Sequence, residues 1–156
     1  DISARFARIR EKYGVPVSMI NLEITETSST HEDVTIMDNL IAIANQGTEL
    51  SIDDYGTGYA TMSHLIKVPV SIVKIDKCIL WSAMQDDAAC FLLKNMISII
   101  TELGKRIVIE GVETKEMVDF LTEINNNLSY QGFYYSKPIT GHHFIKFLKR
   151  ANYRLV

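Results

Sequence analysis

One stretch of this chain indicates the fold: Ser51-Ile52-Asp53-Asp54-Tyr55-Gly56-Thr57-Gly58-Tyr59. It sets two adjacent carboxylates, Asp53 and Asp54, at the end of an apolar segment and directly before a turn punctuated by glycine. A strand that delivers ligands to a loop-lined site has this pattern. Because adjacent side chains of a strand point to opposite faces, a partner must compensate at least one of the two charges. A divalent cation is the simplest candidate.

Around this stretch, short β-branched runs alternate with segments of helical spacing. Five runs predict strands, at residues 17–24, 49–54, 71–76, 106–110 and 128–135. Apolar stripes between them predict helices, and two stripes are expected to face the core: Leu92, Met96, Ile99, Ile100 and Leu103 in one, and Phe144, Ile145 and Leu148 in the other. Strands and helices that alternate at intervals of about 25 to 30 residues predict an α/β fold with a parallel sheet covered by helices.

Two architectures fit that alternation, an open doubly wound sheet and a closed (β/α)8 barrel. The strand ends favour the barrel, because nearly every one carries polar or charged residues: Glu23, Glu26, Asp53, Asp54, Lys74, Asp76, Glu110, Glu113 and Gln131. A barrel gathers the carboxyl ends of its strands into one ring, where its active site lies. The predicted strands fall short of the eight that a barrel needs. The expectation is therefore a chain that begins partway through a barrel and lacks its first strands.

The composition is typical of a globular domain, with 47% hydrophobic and 22% charged residues. A net charge of −3 and a pI near 5.8 argue against a nucleic acid polymer or an anionic membrane as the main partner. No apolar run approaches the length that inserts across a bilayer. The two cysteines, Cys78 and Cys90, lack the spacing of a metal-binding pair, which favours a reduced, cytoplasmic setting.

Four acids form the core of the candidate site: Glu23, Asp53, Asp54 and Glu110. Carboxylate oxygens suit Mg²⁺ or Mn²⁺, and several carboxylates on one rim would repel each other without cations. A two-metal site would relieve that repulsion and activate water for in-line attack on a phosphodiester. The alternative is that these acids are solvated at strand ends or paired with lysine and arginine.

Other residues near the strand ends have more than one interpretation. Lys74 interrupts an apolar strand, and it either orients a hydroxide and stabilises phosphate charge or forms a salt bridge with a neighbouring acid. Glu110 is suited to accept the proton of an attacking water as well as to bind metal. Glu113 fits a supporting position or the first turn of a helix. The segment Gly56-Thr57-Gly58 is either a loop that faces phosphate or an ordinary turn.

Taken together, the motifs resemble the EAL-domain family of cyclic di-GMP phosphodiesterases. Five segments carry the resemblance: Leu22-Glu23-Ile24-Thr25-Glu26, Asp53-Asp54-Tyr55-Gly56-Thr57-Gly58-Tyr59, Val73-Lys74-Ile75-Asp76, Glu110-Gly111-Val112-Glu113-Thr114 and Gln131-Gly132-Phe133-Tyr134-Tyr135-Ser136-Lys137-Pro138. The resemblance implies a modified TIM barrel, of which residues 1–156 would be a C-terminal part, roughly the last three-fifths. It also implies metal-dependent hydrolysis of cyclic di-GMP to linear pGpG in bacterial second-messenger signalling.

The resemblance further implies roles for single residues. Ligands of Mg²⁺ or Mn²⁺ are implied at Glu23, Asp53, Asp54 and Glu110, with Asp53 bridging two ions. Lys74 would hydrogen-bond the attacking water, and Glu110 would also serve as the base. Glu26 would hold the loop that follows Asp53, which in the family links metal binding to dimerisation. Supporting or substrate positions are implied at Glu113 and Gln131, and Pro138 would lie beside the guanine pocket.

Three parts of the family pattern are absent from these 156 residues: the Glu-Ala-Leu motif, the arginine that follows it and an asparagine ligand on the next strand. We therefore expect this chain alone to have little or no phosphodiesterase activity. The alternative function is a non-catalytic receptor or interaction module for cyclic di-GMP, which the retained acids and Lys74 disfavour. Unpaired strand edges predict a homodimer, a strand-exchanged assembly, or cover by an N-terminal piece that is not among these residues. Any membrane tether would belong to other domains of the parent protein.

Overall fold

The structure, a computed structural model, describes residues 2–25, 34–58 and 62–150. Helices and strands alternate along them in an α/β fold. In chain order the elements are α1 (Ile2–Tyr13), β1 (Asn21–Thr25), α2 (Val34–Asn45), β2 (Glu49–Tyr55), α3 (Met62–Lys67), β3 (Ile72–Ile75), α4 (Lys77–Ala83), α5 (Asp87–Glu102), β4 (Arg106–Ile109), α6 (Lys115–Ile124), β5 (Ser129–Tyr130) and α7 (Gly141–Arg150). None of the helices in these ranges combines the length and apolar character needed to span a membrane.

The strands form one parallel sheet in the order β1-β2-β3-β4-β5. Because the spatial order follows the chain order, this sheet has no switch point, and the doubly wound alternative is excluded for it. Right-handed crossovers between consecutive parallel strands place their helices on one face of the sheet. The predicted α/β class with covering helices is confirmed, and the strand order is that of consecutive strands in a (β/α)8 barrel.

The register gives this sheet one apolar and one polar face. Parallel neighbours in register share a face, and the apolar face contains residues that are at most 3% exposed: Leu50, Ile52, Val73, Ile75, Ile107 and Ile109. The opposite face carries Asn21, Glu23, Glu49, Ser51, Asp53, Lys74 and Arg106, and also the half-buried Ile72 and Val108. The two-residue period of a strand therefore places three candidate site residues, Glu23, Asp53 and Lys74, on the face turned away from the apolar core.

Two strands, β1 and β5, are at least three residues shorter than the sequence predicts, whereas β3 and β4 lose only one or two terminal residues. Within the predicted strand 17–24, Val17–Met19 form a 3-10 turn behind Pro16, whose fixed φ suits the start of such a turn, and β1 begins at Asn21. Within the predicted strand 128–135, pairing stops after Tyr130. There the amide of Tyr134 donates to the carbonyl of Val112 at 3.0 Å, which draws the segment out of the sheet.

The buried faces of two helices differ from the predicted stripes. In α5 the buried residues are Leu93, Met96, Ile97 and Ile100, whereas Leu92, Ile99 and Leu103 are between 37% and 52% exposed. Because α5 is apolar over most of its circumference, spacing alone does not distinguish faces about 100° apart. In α7 the prediction that Phe144 and Ile145 face a core is also wrong, since both are more than 45% exposed.

Gly132 brings the loop after β5 against the loop after β4. A Cβ atom on Gly132 would lie 2.0 Å from the carbonyl oxygen of Val112 and 2.4 Å from its nitrogen. We expect Gly132→Ala to lower the free energy of unfolding by about 2 kcal/mol, and the Tm by roughly 4–8 °C. Gly141→Ala is the matched control, because nothing lies within 4 Å of its Cβ position, and its change should stay within about 0.5 kcal/mol. Equal stability of the two variants in urea and thermal unfolding would contradict this packing.

Candidate active site

Lys74 lies at the centre of the polar face of the sheet. It projects from β3, between β2 and β4, and its side chain is 10% exposed. Its Nζ lies 2.6 Å from Oδ1 of Asp53, 2.9 Å from Oε1 of Glu23 and 2.9 Å from Oε1 of Glu110. Of the two interpretations of Lys74, pairing with neighbouring acids is the one that these contacts show directly.

The three carboxylates determine the charge state of Lys74. Burial by itself lowers the pKa of the ammonium group, but hydrogen bonds to Asp53, Glu110 and Glu23 outweigh burial and raise that pKa well above its ordinary value. Lys74 therefore remains a cation throughout the physiological pH range. It supplies a permanent positive charge at the ends of the strands.

Asp53 and Asp54 do not point to opposite faces, as adjacent residues of a regular strand would. Asp54 has a φ of 54°, and the pairing of β2 with β3 shifts register between Ile52 and Tyr55. Aspartate tolerates the left-handed region better than most residues. A turn supports this conformation, since the amide and Oγ1 of Thr57 contact the carbonyl of Asp54 at 3.3 and 2.9 Å. The backbone irregularity turns both carboxylates towards one site, and the prediction of opposite faces is wrong.

Asp53, Asp54 and Glu110 together form a carboxylate cluster. One oxygen from each residue lies within 4.8 Å of the oxygens of the other two. Among the described residues, Lys74 is the one cation that pairs with acids of this site, and Asp54 forms no ion pair. With Glu23 included, one ammonium group faces four carboxylates. Hard oxygen donors with uncompensated negative charge fit the ligand preference of Mg²⁺ or Mn²⁺.

Glu110 directly follows β4, and its carboxyl group is 15% exposed. Burial raises the pKa of this group, the ion pair with Lys74 lowers it, and the charges of Asp53 and Asp54 raise it again, so that the pKa ends above its ordinary value. A glutamate in this state accepts a proton more readily than an ordinary surface glutamate. Its position and basicity fit both roles that the sequence analysis gives it.

One predicted residue, Glu23, stands apart from the cluster. Glu23 reaches the site through Lys74, its side chain is 51% exposed, and it does not belong to the group of oxygens within 4.8 Å of one another. Glu26, predicted to hold the loop after Asp53, lies outside the described residues.

A cleft of about 650 Å³ opens beside the cluster. Asp54 and Glu110 line it, together with three residues that the sequence analysis assigns to supporting or substrate positions: Glu113, Gln131 and Pro138. Backbone hydrogen bonds bring these residues together. The amide of Gln131 donates to the carbonyl of Ile109 at 2.9 Å, and the amide of Val112 donates to the carbonyl of Gln131 at 3.1 Å.

The cleft also contains residues that the sequence analysis does not assign to a substrate site: Asp76, Lys77, Gly111, Phe133, Lys137, Phe144 and Phe147. Phe133 and Phe144 are 55% and 49% exposed, and Nζ of Lys137 lies 5.7 Å from the ring centroid of Phe133. Aromatic faces beside ammonium groups suit a ligand with nucleobases and phosphates. Phe133, Phe144 and Phe147 form an aromatic wall of the cleft. The mixture of aromatic and basic residues in 133–147 indicates such a wall, but helical spacing assigns Phe144 to a core instead.

Comparisons with known proteins match most of the chain to one domain family. The family model of the EAL domain matches residues 1–138. The cyclic di-GMP phosphodiesterase PdeL of Escherichia coli is 36% identical over 128 residues, which are 80% of this chain and 34% of PdeL.

Two solved structures are similar over most of the chain. The EAL domain of Mycobacterium smegmatis DcpA gives a TM-score of 0.86 at 30% identity, covering 95% of this chain and 66% of that one. The PaMucR phosphodiesterase, solved as a complex with cyclic di-GMP, gives a TM-score of 0.81 at 28% identity, covering 88% of this chain and 56% of that one. The chain thus spans about a third of the length of PdeL, and 56% to 66% of these two solved chains.

Asp54→Asn removes one charge from the cluster and keeps a side chain that tolerates a positive φ. Without divalent cations, we expect this change to raise the free energy of unfolding by about 1 kcal/mol, the Coulomb energy of two like charges about 4 Å apart in water. With Mn²⁺ present, the same change should lower the free energy of unfolding, because the lost ligand weakens Mn²⁺ binding by more than about tenfold. Urea unfolding with and without Mn²⁺, and calorimetric titration of Mn²⁺, measure both effects.

Two further variants test the origin of the effect. Asp38→Asn, at an exposed position of α2, is the matched control and should change neither quantity. Lys74→Met should lower the metal-free stability by about 3 kcal/mol, because the buried acids lose their counter-charge. Destabilisation of the metal-free protein by Asp54→Asn would contradict the charge balance described above.

Proposed function

Because the chain belongs to the EAL domain family of cyclic di-GMP phosphodiesterases, we propose that its cleft binds cyclic di-GMP, and that an EAL domain containing these residues hydrolyses it to linear pGpG. One observation carries the proposal: a single cleft joins the carboxylate cluster to an aromatic wall. Asp54 and Glu110 line it, and Phe133 and Phe144 belong to the same lining. A ligand with a phosphodiester next to nucleobases matches both parts of that lining.

Asp53, Asp54 and Glu110 are the residues that would hold divalent cations, with Glu23 as a further ligand. Mg²⁺ or Mn²⁺ bound there would supply Lewis acidity at the phosphate and a water molecule of lowered pKa. We propose two ions rather than one, since four carboxylates converge on the site and Lys74 compensates the charge of one. The four carboxylates and Lys74 sum to −3, and two divalent ions would bring this to +1, which suits an anionic phosphodiester.

The protein residues then position and deprotonate the attacking water. Lys74 is proposed to orient this water through its Nζ, which lies within 2.9 Å of carboxylates on both neighbouring strands. Glu110 is proposed to take the proton on a carboxylate oxygen, as its raised pKa favours. The water oxygen forms the new bond to phosphorus while the opposite ester bond breaks, which opens the ring of the cyclic dinucleotide.

The rest of the cleft is proposed to bind the nucleotide. Phe133, Phe144 and Pro138 offer apolar surface for a guanine base, and aromatic stacking of a base contributes about 1–3 kcal/mol. Lys77 and Lys137 line the same cleft and would face phosphate oxygens. Glu113 and Gln131 line the same cleft and would supply polar groups in supporting positions.

We place this domain in the cytoplasm of a bacterium, where a second messenger acts. The two cysteines support this assignment, because Cys78 and Cys90 are both free thiols in the structure. The cyclic dinucleotide is proposed as the small-molecule partner, and a nucleic acid polymer is not, because the net charge of the chain is −3.

Hydrolysis of cyclic di-GMP with Mn²⁺, followed by chromatographic detection of pGpG, tests the proposal. We expect the isolated 156-residue chain to bind cyclic di-GMP but to hydrolyse it at least about 100-fold more slowly than PdeL. The reason is that three family positions are absent from its sequence: the glutamate of the Glu-Ala-Leu motif, the arginine that follows it and the asparagine ligand on the next strand. A chimaera that joins the N-terminal part of the PdeL EAL domain to residues 1–138 should recover activity.

Within that chimaera, Glu110→Gln should abolish hydrolysis, whereas Glu102→Gln, at an exposed position of α5, should leave it unchanged. Binding of cyclic di-GMP by the chimaera without formation of pGpG would favour the receptor function. Rapid hydrolysis by the isolated chain would contradict the expectation that the absent residues are needed.

The sheet has two open edges, and we propose that self-association covers them, as a homodimer or through strand exchange. β1 pairs with β2 alone and β5 with β4 alone among the described strands. Light scattering coupled to gel filtration should give a concentration-dependent mass above the 17.7 kDa of one chain. A monodisperse, folded monomer at all concentrations would overturn this proposal.

A further inference from the structure

We propose that Trp81 is a positioning residue that sets the orientation of Glu110, an inference that rests on the proposed role of Glu110 as metal ligand and base. Trp81 lies in α4, is the single tryptophan of the sequence and is 37% exposed. Its indole Nε1 donates a hydrogen bond of 2.9 Å to the carbonyl oxygen of Gly111. Gly111 is the residue directly after Glu110.

Gly111 is the point where the loop after β4 meets α4. Its φ is 67°, and a Cβ atom there would lie 2.3 Å from Cβ of Lys77 and 3.2 Å from Nε1 of Trp81. Both the left-handed conformation and the lack of space require glycine at this position. The carbonyl that Trp81 binds belongs to the peptide that joins Gly111 to Val112, so a displacement of this peptide would reach Glu110 through Gly111 alone.

Backbone hydrogen bonds fix the loop on either side of Gly111. The amide of Glu110 donates to the carbonyl of Ile75 at 3.0 Å, and the amide of Val112 donates to the carbonyl of Gln131 at 3.1 Å. These bonds attach the loop to β3 on one side and to the segment after β5 on the other. The indole of Trp81 binds the carbonyl group that lies between them.

The helix that carries Trp81 is itself fixed to the end of β3. Asp76 stands directly before α4, and its Oδ1 accepts a hydrogen bond of 2.8 Å from the amide of Cys78, which caps the helix. Nζ of Lys77 lies 5.5 Å from the ring centroid of Trp81, a cation–π contact that steadies the indole.

One short segment, residues 74–81, therefore contacts Glu110 and its neighbour through two side chains, in addition to the bond from the amide of Glu110 to the carbonyl of Ile75. Lys74 at the start of the segment binds the carboxylate of Glu110 at 2.9 Å, and Trp81 near its end binds the carbonyl of Gly111. Two contacts from one rigid unit determine both the position and the direction of the Glu110 side chain. Loss of the Trp81 contact would leave the carboxylate paired but free to change its angle.

The first experiment needs no metal and no substrate. In the metal-free 156-residue chain, Trp81→Phe removes the indole donor. We expect the amides of Glu110 and Val112 then to exchange with deuterium about three- to tenfold faster, because this factor corresponds to the loss of one neutral hydrogen bond. Phe91→Leu, at a position of α5 that is 70% exposed, is the control and should leave both rates unchanged. Unchanged exchange in Trp81→Phe would overturn the proposal.

The second experiment measures Mn²⁺ affinity from the spectrum of unbound Mn²⁺. Trp81→Phe should bind Mn²⁺ about three- to tenfold more weakly than the parent chain. The same loss is expected when Trp81 is replaced by its benzothiophene isostere, which keeps the shape of the ring and lacks the N–H group. Affinities within twofold of the parent for both would overturn the proposal. If Trp81→Phe unfolds, the isostere decides.

A third experiment measures the effect of Trp81→Phe in two mutant backgrounds, which separates positioning of Glu110 from a general structural role. The loss of Mn²⁺ affinity on Trp81→Phe should persist in an Asp53→Asn background, because Asp53 lies on β2, and should disappear in a Glu110→Gln background. An equal loss in both backgrounds would overturn the proposal. If the chain binds no Mn²⁺ at all, the proposed function fails, whereas the amide exchange rates still decide the role of Trp81.

Discussion

The ion pairs of Lys74 with three carboxylates are the interaction on which the candidate site depends. A lysine with a 10% exposed side chain is costly to bury unless it is paired, and the acids around it repel one another unless a cation lies between them. Each partner belongs to a different strand or strand end, so the ammonium group meets all three only when β1, β2 and β4 are in register with β3. Charge balance and sheet register therefore support each other. The negative charge that remains is what makes the site suitable for divalent cations.

The loops around this centre are held by close backbone contacts, in addition to the apolar packing of the fully buried Val112. Gly132 lies against the backbone of Val112, and Gly111 lies against Lys77 and Trp81, with no space for a side chain at either position. The two contacts attach the loop after β4 to its neighbours on both sides. As a result Glu110 is fixed within the sheet, while the cleft beside it stays open to the aromatic residues that follow β5. The fold thus combines a rigid charged centre with an accessible apolar wall.

The sequence allows the class of fold and the candidate site to be predicted, because both depend on local patterns. Alternation of strands and helices predicts a parallel sheet, and polar residues at successive strand ends predict a site at one edge of it. The buried face of α5 is not predicted correctly, because a helix that is apolar over most of its surface has no single stripe that spacing can identify. The exposure of Phe144 is missed for another reason: α7 is amphipathic, but Phe144 and Phe147 on it line the cleft rather than a core. The extent of β5 depends on a contact with Val112 that no local pattern contains.

By itself, the sequence determined which chemical groups stand at the strand ends, since residue type and the two-residue period of a strand place Glu23, Asp53 and Lys74 on one face. Only the tertiary structure decided that Asp54 joins Asp53, because a left-handed residue and a shift in register override the regular alternation. It also decided that Trp81 meets Gly111, 30 residues further along the chain. Spacing along a chain fixes which face a side chain takes within one element, whereas distances between elements follow from register, turns and close packing.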